Sequence, residues 1–208
     1  MSEPASFHAP TRATATTAAG QPAGQLAEVL GFRSAKFGMG EDDVRAAIIK
    51  DFRVQPQTIK QDENKLEKTR MLSIDAPDAL PGGGTATVTY VFGYESKKLI
   101  QAGVVWSKTT DAKMTPEQIY SNANVLRSHF IAAGYKPETI SMNMPVAGGL
   151  LMFRGSDSEG RTTLMVLQGD IAAANESKQR VLTPSALTLF YVADAKKPDV
   201  YRLPAGLF

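Results

Sequence analysis

Alternating apolar and polar side chains predict two neighbouring strands in the middle of the chain. Residues 85–94 alternate with a period of two, with one apolar face and one face of threonines, as expected of a half-buried strand. Residues 99–107 predict a second strand with its own apolar face. A short polar break at residues 95–97 joins them, so the simplest arrangement is an antiparallel hairpin. The apolar faces of these strands carry Ala86, Val88, Tyr90, Phe92, Tyr94, Ile100, Ala102, Val104 and Trp106.

Residues 41–53 have the period of an amphipathic helix. Val44, Ile48 and Phe52 recur at a spacing of four, which places them on one helix face. Acidic residues occupy the first turn and basic residues the last, an order that the helix dipole favours. The acidic run at residues 41–43 therefore has a structural explanation.

A second helix is predicted between Thr115 and Gly134. Thr115 is the predicted N-cap, Pro116 takes the first helical position, and Gln118 completes a Thr-x-x-Gln capping box. Gly134 is the predicted C-terminal stop. The apolar stripe of this helix consists of Ile119, Ala123, Leu126 and Phe130.

The remaining predicted strands complete a repeating order of elements: residues 69–75, 150–154, 162–168 and 186–193. The order is helix, three strands, helix, three strands. We expect an α+β fold of two α-β-β-β units, with antiparallel sheet and the helices packed on one face. The units are approximate halves, 29–112 and 113–208, of a single domain. Residues 198–203 are expected to lie on this domain as an extended segment.

The first residues of the chain differ in composition from the rest. They are rich in Ala, Thr, Pro, Ser and Gln, so they bury too little apolar surface to offset the entropy of ordering, and residues 1–28 are predicted to be flexible. They contain no apolar stretch of the kind a secretory signal requires. We expect either a cytoplasmic protein or a mature chain restarted at Met1. The composition favours the second, with a periplasmic or otherwise extracytoplasmic location.

Composition also argues against several classes of protein. No stretch approaches the roughly 20 apolar residues that cross a bilayer, so a membrane-spanning chain is not expected. The formal net charge is +2 and the Lys and Arg residues are scattered, which argues against nucleic acid as a partner. The chain has no cysteine, which removes disulfides, thiolate metal sites and cysteine nucleophiles.

Residues with catalytic chemistry are few. The two histidines, His8 and His129, cannot form a multi-histidine metal site, and the sequence contains no Gly-x-Ser-x-Gly elbow. His129 is expected on the surface of the second helix. We therefore predict no catalytic residue, no cofactor and no metal ligand, and a protein that is not an enzyme.

Two weaker metal-binding patterns are present. Met142 and Met144 offer thioether sulfurs, which favour cuprous ion, but no His or Cys is nearby, so packing at an edge is the preferred interpretation. Asp157, Glu159 and Asp170 offer carboxylates, but their spacing departs from the EF-hand pattern. A solvated hairpin is the preferred interpretation there.

Two segments carry a resemblance to known families. Residues 37–44 read Phe-Gly-Met-Gly-Glu-Asp-Asp-Val and precede a helix and then strands that end in Tyr-Val-Phe at residues 90–92. This order resembles the opening of the small-protein-A/outer-membrane lipoprotein family and of the β-lactamase inhibitor proteins, in which such a helix start precedes a three- or four-stranded antiparallel sheet. The chain departs from that pattern in having no lipidated cysteine and no glycine just after the helix, at residues 53–56. Residues 198–206 look like the ending of uncharacterised proteobacterial envelope proteins. The resemblance implies a non-enzymatic binding module of the cell envelope.

Aromatic residues of the predicted hairpin give one candidate binding surface. Tyr90, Tyr94 and Trp106 would bind a partner if their sheet face were open, although cover by the helices is the preferred interpretation. The expected function is that of a soluble bacterial envelope protein that binds another protein or stabilises an assembly. The alternative is a small-ligand binder or weak enzyme with a cavity between the sheet and the helices.

Overall fold

Helices and antiparallel strands make up the fold in this computed structural model, which describes residues 26–77, 79–173, 180–203 and 206. Helix α1 spans Glu41–Phe52 and helix α2 spans Pro116–Ala132. The strands in chain order are β1 (Gly31–Phe32), β2 (Ala35–Lys36), β3 (Lys60–Asn64), β4 (Thr69–Ala76), β5 (Ala86–Phe92), β6 (Leu99–Ser107), β7 (Met144–Val146), β8 (Gly149–Ser156), β9 (Thr162–Ala173) and β10 (Arg180–Val192).

One antiparallel sheet of eight strands dominates the described residues, in the order β3-β4-β5-β6-β10-β9-β8-β7, and β1 and β2 pair separately. The strands from β3 to β6 follow α1 in the chain, and those from β7 to β10 follow α2. The last strand of each half, β6 and β10, meet at the centre, with pairs from Ala186↔Ser107 to Val192↔Gln101. Strands from both predicted halves therefore share one sheet, and the expected α+β class is confirmed.

Each half contains four sheet strands instead of the predicted three. The additional strands are β3 and β7, which form the two edges of the sheet. Strand β3 reads Lys-Gln-Asp-Glu-Asn and is exposed along most of its length, so it has no apolar alternation. Strand β7 is three exposed residues around Pro145, and proline is tolerated in a sheet only where no ladder hydrogen bond needs its nitrogen. Charged or proline-containing edges protect a sheet from pairing with other chains. The predicted central hairpin is confirmed as β5 and β6. The predicted core position of Ile100 is wrong, because the register shifts between Val91 and Phe92, so that Leu99 joins the core and Ile100 does not.

The start of each helix has a local cause. At α2 the predicted N-cap is confirmed, since the Thr115 hydroxyl accepts the N–H of Gln118 at 3.2 Å and Pro116 takes the first position. The Gln118 side chain, predicted to complete a capping box, donates to the Gly82 carbonyl and to Asn122. At α1 the N-cap is Gly40, which has no side chain to cap the helix, and three acidic residues occupy the first turn. Arg53 ends α1 in the left-handed conformation, with φ 53°.

Both helices lie on the same side of the sheet. Their apolar stripes pack against sheet residues to form the core, to which β1 and β2 also contribute: the Phe32 ring stacks on Tyr191 with ring centres 5.6 Å apart. Among the described residues, no helix combines the length and the apolar character needed to cross a membrane. The helices bury Val44, Ile48, Ile119, Ala123 and Phe130, and the sheet buries Leu72, Ile74, Val88, Tyr90, Phe92, Ala102, Val104, Trp106, Leu187 and Leu189.

Residues at both ends of the described chain lie against this core. The predicted flexible segment, 1–28, falls outside the described residues except for its last three. In those, the N–H of Ala27 donates to the carbonyl of Gly134 at 2.9 Å. At the other end, residues 193–203 form what we call the C-terminal strap, which lies on the domain as predicted. Its Tyr201 N–H donates to the Glu67 carbonyl at 2.8 Å.

Candidate binding site on the face of the sheet opposite the helices

The three aromatic residues of the predicted binding surface do not lie together on an open face. Tyr90 is completely buried and Trp106 is 2% exposed, and both lie in the core beneath the helices. Tyr94 is half-buried after the end of β5, where its ring meets Tyr201 of the strap edge-on at 5.4 Å. Tyr90 and Trp106 therefore cannot contact a partner, and the preferred interpretation, that helices cover them, is confirmed for these two.

Burial leaves the polar atoms of these two aromatic residues without a partner among the described residues. The Tyr90 hydroxyl and the Trp106 Nε1 make no hydrogen bond with any described residue. Burial raises the pKa of Tyr90 well above its ordinary value, and the negative charge of Asp51 raises it further, against an opposing effect of Arg33. Tyr90 therefore stays neutral at physiological pH and has no role as a proton donor or acceptor at the surface.

The surface that remains open is the opposite side of the sheet, which we call the helix-free face. On β5 it is formed by the half-buried residues that alternate with the core residues. Residues paired directly across neighbouring strands lie on the same side of the sheet, and on this side they form three rows that cross the strands. The rows are Met71, Val91, Gln101 and Val192; then Ser73, Thr89, Gly103, Phe190, Leu164 and the exposed Arg154; then Asp75, Thr87, Val105, Thr188, Val166 and Leu151.

An aromatic ring lies at the centre of the helix-free face. Phe190 pairs with Gly103, and a β-carbon at Gly103 would lie 3.2 Å from Cε1 of the Phe190 ring. The glycine therefore lets the ring lie close to the backbone of β6. The apolar surface continues to the β7 edge, where Met144 pairs with Leu151 and is 51% exposed.

A cavity of about 470 Å³ opens where the strap crosses one end of this face. Its floor includes the first row of the helix-free face, from Met71 through Val91 and Gln101 to Val192. The strap residues 193–200 form the other wall. The cavity therefore lies on the side of the sheet away from the helices. The small-ligand binder or weak enzyme that the sequence suggests as an alternative would have its cavity between the sheet and the helices.

Two anchors hold the strap over the cavity. The Asp199 carboxylate accepts the N–H groups of Glu95 and Ser96 at 2.9 and 3.0 Å, and the Tyr94 N–H donates to the Asp199 carbonyl at 2.9 Å. At the second anchor, the Lys68 ammonium lies 3.7 Å from the centre of the Tyr201 ring, within reach of a cation–π interaction. Hydrogen bonds from Ser96 and Glu95 hold the pKa of Asp199 below its ordinary value.

The remaining predicted residues are dispersed. His129 is exposed on α2, as predicted, with its ring edge-on to Phe130. Met142 and Met144 are 38% and 51% exposed at the β7 edge. Asp170 is exposed on β9, away from the β8–β9 turn.

The solvated hairpin predicted around Asp157 is wrong for that residue. Asp157 is 3% exposed and its carboxylate receives the Arg161 guanidinium at 2.7 Å and the Val29 N–H at 2.9 Å. These donors already occupy the carboxylate. Nowhere in the described chain do three or more His, Cys, Asp or Glu side chains come together in a way that could hold a metal ion.

Sequence reasoning missed both the helix-free face and the strap cavity. A signal for the face exists in β9 and β10, whose runs Thr-Leu-Met-Val-Leu and Ala-Leu-Thr-Leu-Phe-Tyr-Val are apolar on both sides, a pattern that indicates two covered or partly covered faces. The cavity has no such signal, because the strap and the floor come from distant parts of the chain.

No protein family, curated protein or solved structure matches this chain. The resemblance to small-protein-A lipoproteins and β-lactamase inhibitor proteins therefore stays a prediction.

Proposed function

We propose that this protein is a non-catalytic binding module that recognises a partner protein through the helix-free face. The observation that supports the proposal is the set of apolar side chains that the helices leave uncovered on the central strands, above all Val105, Leu164, Val166 and Phe190. Contiguous apolar patches on a protein surface mark interaction sites.

The size of the face favours a protein over a small molecule as its main ligand. Neighbouring strands lie about 4.8 Å apart, so eight strands span about 34 Å from β3 to β7. A standard protein–protein interface buries about 800 Å² on each partner, which a face of this width can supply. Charged residues of the outer strands, such as Lys60 and Asp75, which are joined at 2.8 Å, provide the polar rim typical of such interfaces.

A charge in the centre of the face tests this proposal. Val166→Lys places an ammonium among apolar side chains, so we expect the partner to be lost from affinity purifications out of the cells that make the protein. Val125→Lys is the matched control, because Val125 is 54% exposed on α2, away from this face. The proposal is supported if the partner is lost with Val166→Lys and fully recovered with Val125→Lys, while both variants have the same thermal stability.

A photocrosslinker inserted at Leu164 gives an independent readout. It is expected to crosslink to the same partner protein whose binding Val166→Lys abolishes. A crosslinker at Tyr120, which is 51% exposed on α2, is expected not to capture that partner. A partner that both crosslinkers capture equally, or that survives Val166→Lys, rules out the helix-free face as the interface. The extracytoplasmic location expected from composition stays a prediction, and cell fractionation tests it.

A further inference from the structure

The cavity beneath the C-terminal strap has the size and construction of a small-molecule site. Small-ligand pockets in proteins measure about 300 to 1,000 Å³, and this one measures about 470 Å³. It has a largely apolar floor on a rigid sheet and a cover anchored by hydrogen bonds at Asp199 and Tyr201. The floor includes Met71, Val91, Ile100 and Val192.

Two uncharged polar side chains on the floor have no partner. Thr69 is completely buried, and its hydroxyl makes no hydrogen bond with any described residue. Gln101 lies between Val91 and Val192 in the first row of the face, and none of the hydrogen bonds found in the described chain uses its side-chain amide. The Thr69 hydroxyl lies out of reach of a ligand, because the whole residue is buried. The Gln101 amide is only half-buried and can both donate and accept, so it can bind an uncharged polar group of a ligand.

The carboxylates at the rim of the cavity do not select a cation. Asp194 accepts the N–H groups of Lys196 and Lys197, both at 2.9 Å, and Asp199 is occupied by the β5–β6 turn. The Glu67 carboxylate accepts the side-chain amide of Asn64 at 3.1 Å. These carboxylates therefore act inside the protein. Lys197 also lines the cavity, but it is an exposed residue of the strap, so its ammonium can stay in water while the floor presents apolar surface and the Gln101 amide.

From this arrangement we propose that the strap cavity binds a small, mainly apolar molecule that carries one uncharged hydrogen-bonding group, such as a hydroxyl, carbonyl or amine N–H. The apolar part lies on Val91 and Val192, and the polar group bonds to the side-chain amide of Gln101. The strap covers the ligand from the other side. This site is independent of partner binding on the rest of the helix-free face.

Two fluorescent probes that differ by one charge test the chemistry. N-phenyl-1-naphthylamine is neutral and has one N–H donor, whereas 1-anilinonaphthalene-8-sulfonate adds a sulfonate to the same ring system. We expect saturable binding of one neutral probe per protein, at least about tenfold tighter than the sulfonate, because burying an unpaired charge is costly. Equal affinity for both probes, or no saturable binding of the neutral one, overturns the proposal.

Variants locate the probe. Val91→Phe fills the floor and Ala195→Trp fills the cavity from the exposed strap, and both are expected to abolish binding of the neutral probe. Thr89→Phe is the control, because it adds the same ring to the next row of the helix-free face, outside the cavity lining. Binding that survives both filling variants, or that Thr89→Phe also abolishes, places the probe elsewhere on the face and overturns the proposal.

Isosteric changes test the polar group. Gln101→Met removes the amide at similar length and is expected to weaken the neutral probe roughly tenfold, the effect of losing a hydrogen bond worth about 1.4 kcal/mol. Thr69→Val is the control, because the hydroxyl that it removes is completely buried and out of reach of the probe. Unchanged affinity in Gln101→Met contradicts the role assigned to Gln101. Because Ala195→Trp lies on the strap, retention of the partner protein in that variant separates this proposal from the proposed function.

Discussion

The Asp157 carboxylate accepts the backbone N–H of Val29 at 2.9 Å, although the two residues are 128 positions apart in the chain. The same carboxylate receives the Arg161 guanidinium at 2.7 Å and the Glu159 N–H at 2.9 Å. Asp157 lies in the turn between β8 and β9, so its carboxylate ties the segment before β1 to the second half of the sheet. This contact stabilises the attachment of residues that otherwise belong to the first half.

Replacing Asp157 with alanine should destabilise the protein by about 3 kcal/mol, because it leaves buried N–H groups and a guanidinium without their acceptor. Urea unfolding followed by circular dichroism measures the change. Glu159→Ala is the control, since the Glu159 side chain is 69% exposed and its ion pair with Arg161 is long, at 3.4 Å. That variant should change stability by less than about 0.5 kcal/mol. Equal effects of the two substitutions would contradict the role assigned to Asp157.

Stability should also depend on pH through Asp157. Burial alone raises the pKa of this carboxyl, but hydrogen bonds from Val29, Arg161 and Glu159 outweigh it and hold the pKa below the usual 3.8. A lowered folded-state pKa stabilises the protein above the unfolded-state pKa, and this contribution is lost as the pH falls through the folded-state pKa. Urea unfolding of the wild type and of Asp157→Asn, from neutral pH to below 3.8, measures it. The stability gap should narrow as the pH falls; a constant gap would show that the charge of Asp157 does not matter.

Two tyrosine hydroxyls of the core should respond in opposite ways to removal. Tyr90→Phe deletes a hydroxyl that has no partner among the described residues, so stability should stay unchanged or rise by about 1 kcal/mol. Tyr135→Phe deletes a buried hydroxyl that bonds to the Thr163 hydroxyl at 2.6 Å, and should cost about 1 kcal/mol. Thermal and urea unfolding of both variants measures the contrast. A clear loss in Tyr90→Phe would reveal a polar partner for that hydroxyl.

Phe130 should contribute much of the stability of α2 on the sheet. It is 3% exposed and its ring stacks on Phe153 with centres 5.4 Å apart. Phe130→Ala leaves a cavity and should cost about 3 to 5 kcal/mol. Tyr120→Ala on the exposed side of α2 is the matched control and should have little effect. An unchanged thermal midpoint in Phe130→Ala would show that α2 does not pack on the sheet as described.

The parts of the fold that the sequence predicts are those with local signals. The hairpin of β5 and β6 alternates on one face, and α2 has both an N-cap threonine and an apolar stripe. Strand β9 extends to Ala173, beyond the predicted end at residue 168, and its last residues pair with β10. This extension depends on pairing with a distant strand, which has no local signal in the sequence.

The candidate site depends on contacts between distant residues, which a sequence pattern does not contain. Asp199 and Glu95 are 104 positions apart, yet their hydrogen bond closes one end of the strap cavity. The same holds for Asp157. Its position in a Gly- and Ser-rich turn predicts a solvated side chain, but the distant Val29 N–H bonds to its carboxylate in the folded protein. The sequence points to the aromatic residues Tyr90 and Trp106 as candidates for a binding surface, but both are buried in the core.

The strap should open when its anchor at Asp199 is removed. Asp199→Ala deletes the acceptor of the Glu95 and Ser96 N–H groups, and a hydrogen bond to a charged group is worth about 1.5 to 3 kcal/mol. Amide hydrogen exchange at Glu95 and Ser96 should therefore accelerate by at least about tenfold, while exchange in α2 stays unchanged.

A substitution on the other side of this contact should open the strap in the same way. A β-carbon at Gly93 would lie 2.0 Å from Oδ2 of Asp199, so Gly93→Ala displaces the carboxylate without removing it. Lys196→Ala is the control, because it alters an exposed strap residue and leaves both anchors in place. If Gly93→Ala and Asp199→Ala both speed exchange at Glu95 and Ser96 and the control does not, Asp199 holds the strap. If exchange is unchanged in both, the strap is held elsewhere, and the anchor at Tyr201 becomes the one to remove.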